Sequence, residues 1–163
     1  MEINASIFQN KIASLECTTT QGIIILEHFP QAKDSPPMII VREEQVDKNV
    51  PWYFFDGASQ NNGLACGGGL VLFLSDSHFF KLNMGLGFDS NNYAELMALK
   101  LLILFAREKG VISLRIFGDS LNVVNWTRKL QRCHNIILAP LIEEIDKILN
   151  SFDSFSIHHV YRE

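Results

Sequence analysis

Trp52-Tyr53-Phe54-Phe55-Asp56-Gly57-Ala58-Ser59 is an aromatic run that stops on a carboxylate. Four consecutive aromatic residues suit a short buried strand, and Asp56-Gly57 is a turn signal that would end it. A glycine-rich stretch, Gly63 to Gly69, leads into Leu70-Val71-Leu72-Phe73-Leu74, a second strand. Ser75-Asp76-Ser77 reads as a turn and His78 to Leu86 as a third strand, so the three form an antiparallel meander.

Helical spacing takes over after this meander. Asn92 suits an N-cap, and Leu96, Leu99, Leu102, Ile103 and Ala106 recur on one face up to Gly110, a natural stop. Leu114 to Phe117 reads as a fourth strand, and Asp119-Ser120 starts a helix through about Lys129. A third helix is expected over Leu138 to Leu149, with Pro140 in its tolerant first turn, and a last strand over Phe155 to Tyr161. The order β-β-β-α-β-α-α-β predicts an α/β fold: a mixed five-stranded sheet, antiparallel then parallel, flanked by helices.

The first 50 residues differ in character. Four of the five prolines lie between Pro30 and Pro51, among Arg42-Glu43-Glu44 and Asp47-Lys48. Proline interrupts ladders and helices, so residues 1–50 read as a leader or linker of unassigned role, with one short strand allowed at Gly22 to Leu26. The folded domain is expected at 51–163.

Composition narrows the function classes. The chain has 163 residues, 47% hydrophobic and 20% charged, with a net charge of −4. General disorder and a bulk basic coat for nucleic acid are excluded, while a local basic patch is not. Three cysteines, Cys17, Cys66 and Cys133, lie far apart, which argues against a disulfide framework or a CxxC zinc site; Cys66 and Cys133 read as small core residues. The N-terminus lacks a basic start leading into an apolar run, and the longest apolar stretch, Leu96 to Ala106, is broken by Lys100. The expectation is a soluble intracellular protein, nuclear or cytoplasmic, with no membrane partner.

Asp56, Glu95 and Asp119 are the residues that carry chemistry. The first ends a strand, the second lies early in a helix, and the third ends the fourth strand. If those two strands are neighbours, their ends meet and Glu95 projects beside them. Three gathered carboxylates raise one another's pKa, and a hard cation with oxygen preference removes the conflict. Two Mg2+ ions about 3.5–4 Å apart would activate a water and stabilise the leaving oxygen of a phosphodiester. Each acid also has a structural alternative: Asp56-Gly57 as a turn, Asn92 with Glu95 as a capping box, Asp119 as a helix cap.

The words around the acids are Phe55-Asp56-Gly57-Ala58-Ser59, Asn91-Asn92-Tyr93-Ala94-Glu95-Leu96 and Phe117-Gly118-Asp119-Ser120. In this order they resemble the type-1 ribonuclease H domain, and more closely its version in plant retrotransposon polyproteins and reverse-transcriptase-like proteins. Cys66-Gly67-Gly68-Gly69 and the final His159-Val160-Tyr161-Arg162-Glu163 fit the same resemblance, which spans residues 52–163. It implies a five-stranded mixed sheet and metal-dependent endonucleolytic hydrolysis of RNA in RNA/DNA hybrids. It also implies two Mg2+ ions, with Mn2+ as substitute, held by Asp56, Glu95 and Asp119. An exonuclease or integrase on a related fold fits these words less well.

The family's fourth acid follows the last strand in an Asn-x-x-Ala-Asp word that opens a final helix. The sequence ends at Glu163, before any such word. The expectation is therefore a weakened site. The alternatives are a shortened frame, an inactive domesticated relic that binds nucleic acid or protein, or a fold completed by a partner chain.

For the nucleic-acid partner, the resemblance points to backbone groups after the first acid and amides before the helix acid. Here these are Gly57, Ala58, Gln60, Asn61, Asn62, Asn91 and Asn92, with Ser90 and Ser120 available to a phosphate. From Ser120 through Ile142 there is no acid, and Arg128, Lys129 and Arg132 make a local basic face. Trp126 reads as core. Of His158-His159, only one can face the site, and both read as structural.

Overall fold

The computed structural model describes residues 24–29, 51–60, 65–75, 78–87 and 90–160. Its elements are β1 (Ile24–Phe29), β2 (Trp52–Gln60), β3 (Ala65–Phe73), β4 (Phe79–Gly87) and α1 (Asn91–Glu108). They continue with β5 (Ser113–Gly118), α2 (Leu121–Thr127), α3 (Leu138–Leu149) and β6 (Ser154–His159). One sheet holds all six strands in the order β1-β4-β3-β2-β5-β6. The β2-β3-β4 meander is antiparallel, and the helix-linked strands β5 and β6 run parallel to β2, as the element order implied.

The sheet gains a strand over the five expected. Ile24–Phe29 pairs antiparallel with β4, from Ile24↔Met84 to Phe29↔Phe79. The short strand allowed at Gly22 to Leu26 thus forms two residues later and runs on to Phe29, and part of the segment read as a leader or linker joins the sheet through edge pairing that local pattern does not specify. The rest of residues 1–50 lies outside the described residues, as do Asn61, Asn62 and Glu163.

β2 does not stop at Asp56-Gly57. It runs on to Gln60, paired with glycines: Asp56↔Gly69, Gly57↔Gly68 and Ala58↔Gly67. These glycines serve close packing. A β-carbon on Gly57 would lie 2.3 Å from the Ala94 carbonyl carbon and the Glu95 nitrogen, and one on Gly68 would lie 3.2 Å from the Ala98 β-carbon. The helix lies against bare backbone there, which is one of the uses of glycine within a strand.

Helix α1 is capped by Ser90 rather than Asn92; the Ser90 hydroxyl accepts the Tyr93 N–H at 3.2 Å. Its far end closes at Gly110, with φ +74°, where the Gly110 and Val111 N–H groups bond the Arg107 and Ala106 carbonyls. Ala94 through Ala106 is buried without a break, because the helix is clasped between the sheet and α3. Within that stretch the Lys100 ammonium pairs with Glu144 at 3.0 Å.

The main core joins α1 to Tyr53, Phe55, Leu70, Leu72, Phe80 and Leu82 of the sheet and to Ile145 and Leu149 of α3. A second cluster gathers the alternate residues Trp52, Val71, Phe73, Phe79 and Phe117, with Trp52 stacked on Phe73 at 4.1 Å. Helix α2 ends at Thr127, two residues short of the expected Lys129. Arg128 is its C-cap, and Lys129 turns left-handed at φ 59°. Trp126 and Cys133 are half-buried against the main core. No helix among the described residues is long and apolar enough to cross a membrane.

Candidate metal centre

Three elements converge at one end of the sheet. β2 and β5 are parallel neighbours whose final paired position is Phe55↔Gly118, so Asp56 and Asp119 are the next residue on each strand. Glu95 is the fifth residue of α1, two residues deeper than the cap expected at Asn92 would place it. It arrives beside Asp56 because Gly57 lets the α1 backbone settle directly on β2. Carboxylate oxygens of Asp56, Glu95 and Asp119 lie within 4.8 Å of one another. This proximity supersedes the capping-box alternative for Glu95, and Ser120 rather than Asp119 caps α2.

The electrostatics of the cluster are unfavourable as they stand. Glu95 is 7% exposed, and its pKa is pushed up to about 9. Burial is the main cause; the charges of Asp56 and Asp119 add to it, and a hydrogen bond from the Gly57 backbone N–H opposes it. Glu95 Oε2 is buried with no hydrogen bond. Asp56 and Asp119 have interactions elsewhere, yet Oδ1 of each is also buried with no hydrogen bond. Buried acceptors that converge without donors fit a cation, and an all-oxygen donor set fits a hard one such as Mg2+ or Mn2+.

The two histidines of β6 divide as strand alternation requires. The His158 ring stacks on Phe117 at 5.3 Å, and burial, together with Arg128 and Arg115, lowers its pKa. A ring nitrogen of His159 lies 3.1 Å from the Asp119 carbonyl oxygen. His159 therefore touches the backbone of a cluster acid. Its partner lies on another element, so no local pattern places it at the site.

Where they are described, the residues expected to meet nucleic acid lie on β2, at the starts of α1 and α2, and in the turn after α2. Asn91 and Asn92 form the first turn of α1, after the exposed Ser90. Gly57 and Ala58 are strand residues of β2, beside Gly68 and Gly67. Asn62 lies outside the described residues. The Ser120 hydroxyl accepts the Val123 N–H at 3.4 Å as the cap of α2. Arg128 and Arg132 are exposed, whereas the Lys129 ammonium lies 3.2 Å from Asp146. A groove of about 370 Å³ separates this basic turn from α3, lined by Trp126, Leu130, Arg132 and Ile142 among others.

Residues 54–163 match the family described as reverse transcriptase-like. The chain belongs to that family. Among curated proteins there is no match to this reverse transcriptase-like chain. Solved structures similar to it include the RNase H1 of the halophilic archaeon Halobacterium salinarum NRC-1, at 28% identity and TM-score 0.64, covering 69% of this chain and 86% of that one. The N-terminal RNase H domain of Rv2228c from Mycobacterium tuberculosis, solved as a fusion with maltose-binding protein, is similar at 22% identity and TM-score 0.65, covering 69% and 82%. LC11-RNase H1, solved in complex with an RNA/DNA hybrid, is similar at 18% identity and TM-score 0.64, covering 69% and 86%. The reverse transcriptase-like domain thus has the ribonuclease H fold, and the additional strand β1 precedes the matched region.

Proposed function

We propose that this domain is a divalent-metal-dependent endonuclease that hydrolyses RNA in RNA/DNA hybrids. One observation carries the reading: carboxylates from two strands and a helix converge within 4.8 Å, around a buried Glu95 oxygen that no hydrogen bond satisfies. The RNA/DNA hybrid bound by LC11-RNase H1, which shares the fold, supports the choice of substrate.

Asp56 and Asp119 form the core of the ligand set, and Glu95 completes it. Bound Mg2+ would supply an activated water and neutralise charge on the departing 3′ oxygen. The Gly57 N–H keeps Glu95 turned toward the two aspartates. Asn91 and Asn92 offer amides to the RNA 2′-hydroxyl, the group that separates RNA from DNA. Ser90 and Ser120 can donate to a backbone phosphate, and Arg128 and Arg132 hold the strand electrostatically.

The test is cleavage of an end-labelled RNA/DNA hybrid by the purified chain with Mg2+ or Mn2+. Cleavage that disappears in Asp119→Asn is expected. Hybrid binding without cleavage at any metal concentration would instead mark a non-catalytic nucleic-acid-binding domain.

A further inference from the structure

We infer that Phe55 is a positioning residue for the metal centre, acting through Gly118. This rests on the metal reading above and adds how the spacing of the two aspartates is set. The β2–β5 ladder ends at Phe55↔Gly118, and the acids are the first residues beyond that last rung. Whatever fixes the rung fixes where Asp56 and Asp119 emerge.

The Phe55 ring provides that constraint. It is fully buried, and it lies over Gly118 so closely that a β-carbon there would come within 2.4 Å of ring atoms Cε1 and Cζ. Gly118 leaves room for the ring, and the ring occupies the room, so the Gly118 backbone cannot move toward the face of the sheet on which the ring lies. Glycine in a strand where another group approaches closely is a known use of the residue. On the far side of Gly118, the Val160 N–H bonds its carbonyl at 2.9 Å, and His159 reaches the Asp119 carbonyl. Gly118-Asp119 is thus held from β2 and from β6 together. Supporting groups behind the ligands matter because ligand oxygens must be placed to within about half an ångström.

The experiment measures Mn2+ affinity by titration calorimetry on the full chain, with melting temperature in EDTA as a separate record of stability. Phe55→Leu is expected to weaken Mn2+ binding about tenfold or more, the usual scale when a ligand's support is removed. Phe80→Leu is the control: the ring belongs to the same core and packs on Phe105, about 15 Å along α1 from Glu95 at 1.5 Å per residue. It should lower the melting temperature comparably and leave Mn2+ affinity within about twofold, because its contacts do not reach the ligand set. Gly118→Ala should weaken binding, and adding Phe55→Leu to it should recover part of the loss by making room. If Gly118→Ala fails to fold, the Phe55 and Phe80 comparison still decides. Equal affinities in Phe55→Leu and Phe80→Leu would overturn the inference alone. A wild-type chain that binds no Mn2+ would overturn the metal reading and this inference with it.

Discussion

The backbone of Ala94 rests directly on Gly57, with no space for even a methyl group between helix and strand. This contact brings Glu95 to Asp56 and lets the Gly57 N–H reach the Glu95 carboxylate. Gly57→Ala must push α1 off the sheet. Overpacking of this kind costs about 1–3 kcal/mol, and more where the obstacle is backbone. Chemical denaturation should show a loss at or above the top of that range. Mn2+ affinity should fall with it. Gly68→Ala, whose β-carbon would come nearest the Ala98 side chain at 3.2 Å, should be milder on both counts.

Glu95 makes the metal-free protein sensitive to alkali. Its pKa rises from an ordinary 4.5 to about 9 on folding, so between those values the folded state binds more protons than the unfolded state. The stability contribution is therefore full below about 4.5 and is lost as pH rises through about 9. In EDTA, melting temperature should decline steadily across that window. Glu95→Gln should flatten the decline. Mg2+ should raise the melting temperature more at pH 8 than at pH 5.5, since the cation replaces the proton. A flat EDTA profile in the wild type would contradict this account.

Lys129 holds a left-handed backbone conformation at φ 59° in the position after the α2 cap. The Lys129 and Leu130 N–H groups bond the Trp126 and Asn125 carbonyls, a closure that glycine makes without strain. Left-handed geometry costs an ordinary residue about 1–2 kcal/mol. The Lys129–Asp146 pair offsets little of that, because the lysine side chain is 72% exposed. Lys129→Gly should therefore raise the melting temperature by about 2–4 °C per kcal/mol gained. A lower melting temperature would show that the ion pair outweighs the strain.

Arg128 and Arg132 are exposed cations of the turn after α2, in the basic face proposed to hold the nucleic-acid strand. Removing a cation that neutralises one phosphate should make the slope of log affinity against log salt shallower by about 1. Arg128→Ala and Arg132→Ala, measured singly on a catalytically silent Asp119→Asn background, should each show that decrement. The weakening should be alike for hybrids of different sequence, because binding to phosphate carries no base information.

Much of the fold is legible in local pattern. The apolar spacing of Leu138–Leu149 and its tolerated Pro140 leave little competition, and the helix has the expected bounds. From β2 onward the β-β-β-α-β-α-α-β order also stands, because each element carries its own periodicity. What escapes depends on partners distant in sequence. Asp56-Gly57 looks like a turn unless Ala94 is known to press on the glycine. Ser90 and Asn92 are equally good caps on composition, and only the hydrogen bond to Tyr93 separates them. The apolar run at Gly22 to Leu26 allows a strand, but its membership of the sheet shows only once β4 is available to pair with it. At the candidate site the three acids announce themselves through neighbouring words, while Phe55, Gly118 and His159 enter only through contacts across strands.

The pairing of Ile24–Phe29 along β4 has a practical consequence for anyone trimming the chain to its recognisable part. A variant begun at Pro51 would move the open edge of the sheet from β1 to β4 and strip the β4 main chain of the partners it has along Phe79 to Met84. The N-terminal strand is thus part of the folded unit, and shortened preparations should melt at a lower temperature than the longer chain.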